Sequence, residues 1–100
     1  MYLLSKTKRF ERDVKACQKR HWDIETFKAA LADLAASDTV PLAPKYRDHA
    51  LSGDLAGMRA IHVPNVKNPP RDTWVVLYEI DGGELYLYRT GSHDEVYGRQ

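Results

Sequence analysis

Three of the four histidines fall from the middle of this 100-residue chain onward: His49 in KYRDHAL, His62 in MRAIHV and His93 in RTGSHDE. Imidazole is the side chain whose ordinary pKa lets it take or give a proton near neutrality. Arg59 and Arg89 precede the second and third of these histidines and offer planar guanidinium forks that suit phosphate oxygens. Tyr97, four residues after His93, offers a ring on which a base can stack. Together these types fit the cleavage of RNA by attack of a ribose 2′-OH on its own phosphate. That reaction needs a base, an acid for the leaving 5′ oxygen and positive charge at the phosphoryl oxygens. Proton transfer supplies roughly 10²–10⁴-fold, and charge stabilisation must supply much of the rest.

Each histidine also has a plain structural reading when taken singly. His49 reads as a surface loop residue and His62, flanked by Ile61 and Val63, as a half-buried strand residue. His93 reads as a first-turn helix residue behind a capping box made by Ser92 and Glu95. His21, in the HWD link, reads as a surface residue. A helix N-terminus also receives anions. The three late histidines stand 13 and 31 residues apart, without an i,i+4 pair or a CxxC element. That is not metal-ligand spacing, and neither a metal nor a cofactor is expected.

The net charge is only +1, yet residues 1–20 carry seven basic and two acidic side chains. A basic first segment on a near-neutral body is a candidate footprint for a polyanion, with Lys8, Arg12 and Lys15 as its members, or simply a solvated helix face. The single cysteine, Cys17, cannot form an intrachain disulfide and lies at an apolar position of a helical pattern, so it reads as a small buried hydrophobe in a reducing compartment. No leader pattern and no run of about 20 apolar residues is visible. A cytoplasmic protein with no membrane contact is expected.

These residues need elements to position them. MYLL reads as a short strand. Thr7 or Ser5 caps a helix to about Arg20 with Phe10, Val14 and Cys17 on one stripe, and Asp23 caps a second helix through Ile24, Phe27, Leu31 and Leu34. Pro41 and Pro44 close the helical region, and residues 40–57 read as a long connection with little periodicity. MRAIHV (58–63), TWVVLYEI (73–80) and ELYLYRT (84–90) read as strands, the last two joined by the tight turn DGG. The Pro-rich PNVKNPPR (64–71) cannot be strand. The expectation is one α+β domain over residues 1–100, ordered β-α-α-β-β-β with a short terminal turn: an N-terminal helix hairpin on a twisted, mainly antiparallel sheet of about four strands.

The segments YRDHALSG (46–53), GMRAIHV (57–63), WVVLYEI (74–80) and YRTGSHDEVYG (88–98), with DVKACQKRH (13–21), resemble the YafQ-type toxins of the RelE/ParE superfamily, and the resemblance covers nearly the whole chain. It implies a ribosome-dependent endonuclease that cuts mRNA in the ribosomal A site without a metal. It places His49, His62 and His93 in the active site, with His93 as general acid, and leaves open which of the other two is the base. It adds Asp72 as an acidic position before the central strand, Tyr97 as an aromatic substrate contact and Arg59 at the phosphate. It also implies a cognate antitoxin as partner, with the toxin monomeric alone and oligomeric in that complex. Two departures stand out: Ala60 occupies a position where relatives often carry an acid, and residues 64–71 read as an insertion. The alternative reading is a non-catalytic, ParE-like toxin or binding module that acts by protein contact.

Overall fold

Thr7 ends the first strand and starts the first helix in one step. Its hydroxyl accepts from the Phe10 amide and donates to the Tyr88 carbonyl, at 2.9 Å each. The computed structural model, which describes residues 2–37, 44–70 and 72–98, runs from there as expected. Strand β1 (Leu3–Lys6) leads into α1 (Lys8–Lys19), and α2 (Ile24–Ala36) is capped by the Asp23 carboxylate. Strands β3 (Arg59–His62), β4 (Trp74–Asp81) and β5 (Glu84–Ser92) then precede α3 (His93–Tyr97). Asp81 and Glu84 pair across a turn in which Gly82 and Gly83 both take positive φ, as a tight hairpin requires. Pro41 and Arg71 lie outside the described residues.

The strand count differs from the expected four. The long connection contains a two-residue strand, β2 (His49–Ala50), between two single 3₁₀ turns, Pro44–Tyr46 and Gly53–Leu55. Two residues are too few to show an alternating pattern. β2 exists because His49 and Ala50 find Ala60 and Arg59 across an antiparallel pair. The sheet order is β1-β5-β4-β3-β2, antiparallel except for the β1–β5 pair. Among the described residues no helix is long and apolar enough to cross a membrane.

The sheet has two differently covered faces. One meets the helices: Phe10, Cys17, Phe27 and Leu34 pack on Ile61, Trp74, Val76, Tyr78, Leu85 and Leu87. The Phe27 ring lies parallel to Trp74 at 4.6 Å between centroids, and Trp22 meets the same indole edge-on. Burying such rings stabilises by about 1.5–3 kcal/mol apiece, provided no polar atom is stranded. The Trp74 N–H donates to the Thr90 hydroxyl, which donates on to the Val75 carbonyl, both at 2.8 Å. The Cys17 thiol is buried here, and burial pushes its pKa up to about 11. The other face carries a smaller cluster of Ala60, Val75, Leu77 and Val96, with Leu51, Met58, Tyr88 and Tyr97 around it.

Helix α1 also finishes the edge of β5. Pairing with β1 stops at Leu87, beyond which the Asp13 carboxylate accepts from the Thr90 amide at 3.1 Å. At the far end of α1, Arg20 grips Glu95 of α3 with two bonds of 2.7 and 2.6 Å. That bidentate pair, with the Ser92 amide, pulls the Glu95 carboxyl down to about 2. On the β2 side, the Asp48 carboxylate is wholly buried and accepts from the Tyr78 hydroxyl at 2.6 Å and from Arg59 Nε at 3.1 Å.

Removing one member of a buried charged pair costs about 3 kcal/mol or more, so Asp48→Ala is expected to lower unfolding stability by about that amount, read from urea midpoints. Glu95 is more acidic folded than unfolded. Its contribution is therefore complete above its ordinary value of 4.5 and is lost as pH falls toward about 2. Thermal melts across that window are expected to fall more steeply for the wild type than for Glu95→Gln.

Candidate active site

The three late histidines form a row. The His49 and His62 ring centroids are 6.4 Å apart, those of His62 and His93 are 6.5 Å apart, and neighbouring planes lie within 27° of parallel. Three elements bring them there. His49 stands opposite Ala60 across the β2–β3 pair, so it shares a sheet face with Ala60 and His62. His93 is the first residue of α3. Ser92 caps that helix through the Glu95 amide, while the Glu95 side chain returns to the Ser92 amide, completing a capping box. The glycine before the box has a steric reason: a Cβ on Gly91, at φ +148, would stand 3.0 Å from Glu95 Oε1, which Arg20 holds in place. Tyr97, one turn on, puts its ring centroid 4.5 Å from that of His93, and burial raises its hydroxyl pKa.

The hydrogen bonds distinguish two of the rings. His49 Nδ1 lies 2.8 Å from the Arg47 carbonyl, an acceptor only, so Nδ1 carries the proton and Nε2 of the neutral ring keeps its lone pair. His62 is the opposite case. Its Nδ1 is buried with no hydrogen-bond partner. A stranded N–H there costs more than a stranded lone pair, so the neutral proton belongs on Nε2. Burial, then the Arg47 charge, hold the His62 pKa below its ordinary value, with smaller contributions from the flanking imidazoles.

Arg47 is the cation that sequence reasoning missed. It has positive φ, its guanidinium pairs with Asp72 at 3.2 Å, and it lines a cleft of about 580 Å³ with His62 and Asp72. A Tyr-Arg-Asp-His run beside a candidate histidine was the available signal, but a loop gives no periodicity from which to read direction.

The expected cations fare differently. Arg59, expected at the phosphate, does not join the imidazoles in this structure. It is an odd number of residues from His62, leaves the opposite sheet face and is spent on Asp48. Arg89 stands opposite Leu77, on the histidine face, but both its Nε and Nη2 bond Asp13, at 2.7 and 3.4 Å. Lys8, Arg12 and Lys15 are exposed on α1, at helical spacing that turns them away from buried Phe10 and Cys17, and Lys15 borders a separate groove with Leu4, Val14 and Leu31. Asp72 is brought to the cleft as the partner of Arg47. Among the described residues no cluster of three His, Cys, Asp or Glu side chains is arranged to hold a metal ion.

His62 binds a proton less readily folded than unfolded. Stability is therefore unaffected above the ordinary value of 6.5 and declines as pH falls below it. The His62 ring protons are expected to titrate by NMR with a midpoint below 6.5, and His62→Gln is expected to shrink the decline in melting temperature between about pH 7 and pH 5. A midpoint above 6.5 would show the ring to be stabilised as imidazolium.

Comparison with known proteins gives the family of the chain. The family model described as "Bacterial toxin of type II toxin-antitoxin system, YafQ" matches residues 2–98. The mRNA interferase toxin YafQ of Escherichia coli K12 is 35% identical over 89 residues, spanning 89% of this chain and 88% of that protein. The crystal structure of YafQ from E. coli BL21(DE3) superposes with a TM-score of 0.82 at 30% identity, covering 98% of this chain and 100% of that one. The toxin in the E. coli DinJ–YafQ complex gives 0.80 at 31% identity, covering 98% and 100%. From β1 to the capped histidine of α3, this chain belongs to the YafQ family of bacterial toxins of type II toxin–antitoxin systems.

Proposed function

We propose that the protein is an mRNA endonuclease that works in the cytoplasm at the ribosomal A site, by metal-independent attack of a ribose 2′-OH, and that a cognate antitoxin silences it. The observation that carries this reading is the row of imidazoles with distinct hydrogen-bonding states. The name borne by the 35% identical E. coli relative and the structure of the DinJ–YafQ complex support it. The toxin is monomeric alone and oligomeric with its antitoxin.

The chemistry follows from the tautomers. His49 Nε2 takes the 2′-OH proton as O2′ attacks phosphorus. His62 donates Nε2–H to a non-bridging oxygen, a task its reluctance to charge suits. His93, as imidazolium, gives its proton to O5′ as the P–O5′ bond breaks. The products are a 2′,3′-cyclic phosphate and a free 5′-OH, with one proton moved from His93 to His49 overall. Arg47 and Asp72 flank His62, and the guanidinium opposes the charge that builds on the phosphoryl oxygens. Tyr97 stacks a base beside His93.

One observation favours a second reading, inhibition by protein contact: Arg59 and Arg89 are both already paired with carboxylates. Primer extension on translated mRNA separates the two. Codon-registered breaks are expected with the wild type, reduced roughly 10²–10⁴-fold in His93→Ala and persisting in EDTA. Growth arrest undiminished by His93→Ala, with no breaks, would replace the nuclease with the contact inhibitor.

A further inference from the structure

The Pro-rich segment 64–70 does not hang free. The Asn68 carbonyl accepts from the Asp23 amide at 2.8 Å, and the Asn68 side-chain amide donates to the carbonyls of His21 and Arg20. The Lys67 amide donates to the Asp23 carboxylate, and Val66 packs against the main core. The loop is thus stapled to the α1–α2 link. Its first residues form one wall of the cleft beside His62, and the 3₁₀ turn at Pro44–Tyr46 forms the other.

The cleft's chemistry is specific. Pro44, Pro64 and Val66 offer flat or apolar surface. Lys45 and Arg47 bring two cations against the single carboxylate of Asp72, and Asn65 presents an amide. At about 580 Å³ the space is of the size that holds a small ligand rather than a peptide segment. It opens directly onto His62, so whatever occupies it is next to the reacting phosphate.

We propose that this cleft is a specificity subsite for one nucleotide flanking the scissile bond. The base lies against Pro44, Pro64 and Val66, the Asn65 amide reads its edge, and Lys45 holds its phosphate. This rests on the nuclease reading above and adds to it the part of the molecule that sets base preference. RNA is favoured over a protein occupant by the excess of cations, the compact shape and the continuity with the imidazole row. An unstacked base recognised on its edge is the ordinary way to read single-stranded RNA.

Asn65 sits at φ +61, so Asn65→Gly removes the amide while keeping a backbone that glycine adopts freely. Lys45→Gln removes the cation. With translated mRNA randomised over the codon, cleavage is expected to persist in Asn65→Gly with altered base preference, and to weaken in Lys45→Gln through poorer substrate binding. Preference at one position beside the break should relax about tenfold in Asn65→Gly, the scale on which one base contact discriminates. In parallel, an uncleavable 2′-O-methyl trinucleotide is titrated into the protein and followed by amide NMR. Shifts are expected at residues 45–47, 63, 65 and 66, with binding weakened about fivefold or more in Lys45→Gln. Cleavage with unaltered preference in Asn65→Gly overturns the subsite and leaves the nuclease standing. Binding in the cleft without cleavage by the wild type does the reverse. Trinucleotide shifts elsewhere, with both substitutions weakening only antitoxin binding, would reassign the cleft to a protein partner.

Discussion

A carboxylate with no exposure to water holds the active loop to the sheet. Asp48 is that carboxylate, and the Tyr78 hydroxyl and Arg59 meet it and offset the cost of its burial. Two residues earlier, the buried Tyr46 ring is fixed in turn by a hydrogen bond from its hydroxyl to Asp33 on α2. The chain between these pins has little slack. Arg47 takes a left-handed conformation, its side chain is pushed out toward Asp72, and its carbonyl is left facing the His49 ring. Left-handed backbone is unfavourable for a residue with a Cβ, so this geometry persists because its neighbours are anchored. The protonation pattern of one imidazole and the placing of one guanidinium thus follow from a single internal ion pair.

The division of labour between the two sheet faces follows from the same economy of parts. The helix-covered face holds the large rings and most of the apolar burial. On the opposite face the buried hydrophobic cluster among the described residues is Ala60, Val75, Leu77 and Val96, and this thin floor lies beneath the histidine row. Ala60 is part of that floor, pairing with His49 on one side and Leu77 on the other. Stability is concentrated on one side and polar chemistry on the other. Arg20, gripping Glu95, is the link by which the helical layer also fixes the position of His93.

Much of this was legible in the residues. Helix stripes, caps, the Gly-Gly hairpin and the central Trp74–Asp81 strand announce themselves through period and turn chemistry. The capping box before His93 is read directly from Ser92 and Glu95. Other parts had no local signal. β2 is two residues long and is defined by its partner alone. Arg47 lies on a connection without periodicity, and the pairing of Asp13 with Arg89 spans most of the chain. Arg59 is a different case. Strand alternation already sends residues 59 and 62 to opposite faces, so parity alone separates Arg59 from the imidazole row.

Evenly spaced imidazoles have an electrical consequence. A cation formed on either outer ring disfavours one on the middle ring, which burial already sets against charging. The neutral form of the central imidazole is thereby favoured by its place in the row as well as by its depth.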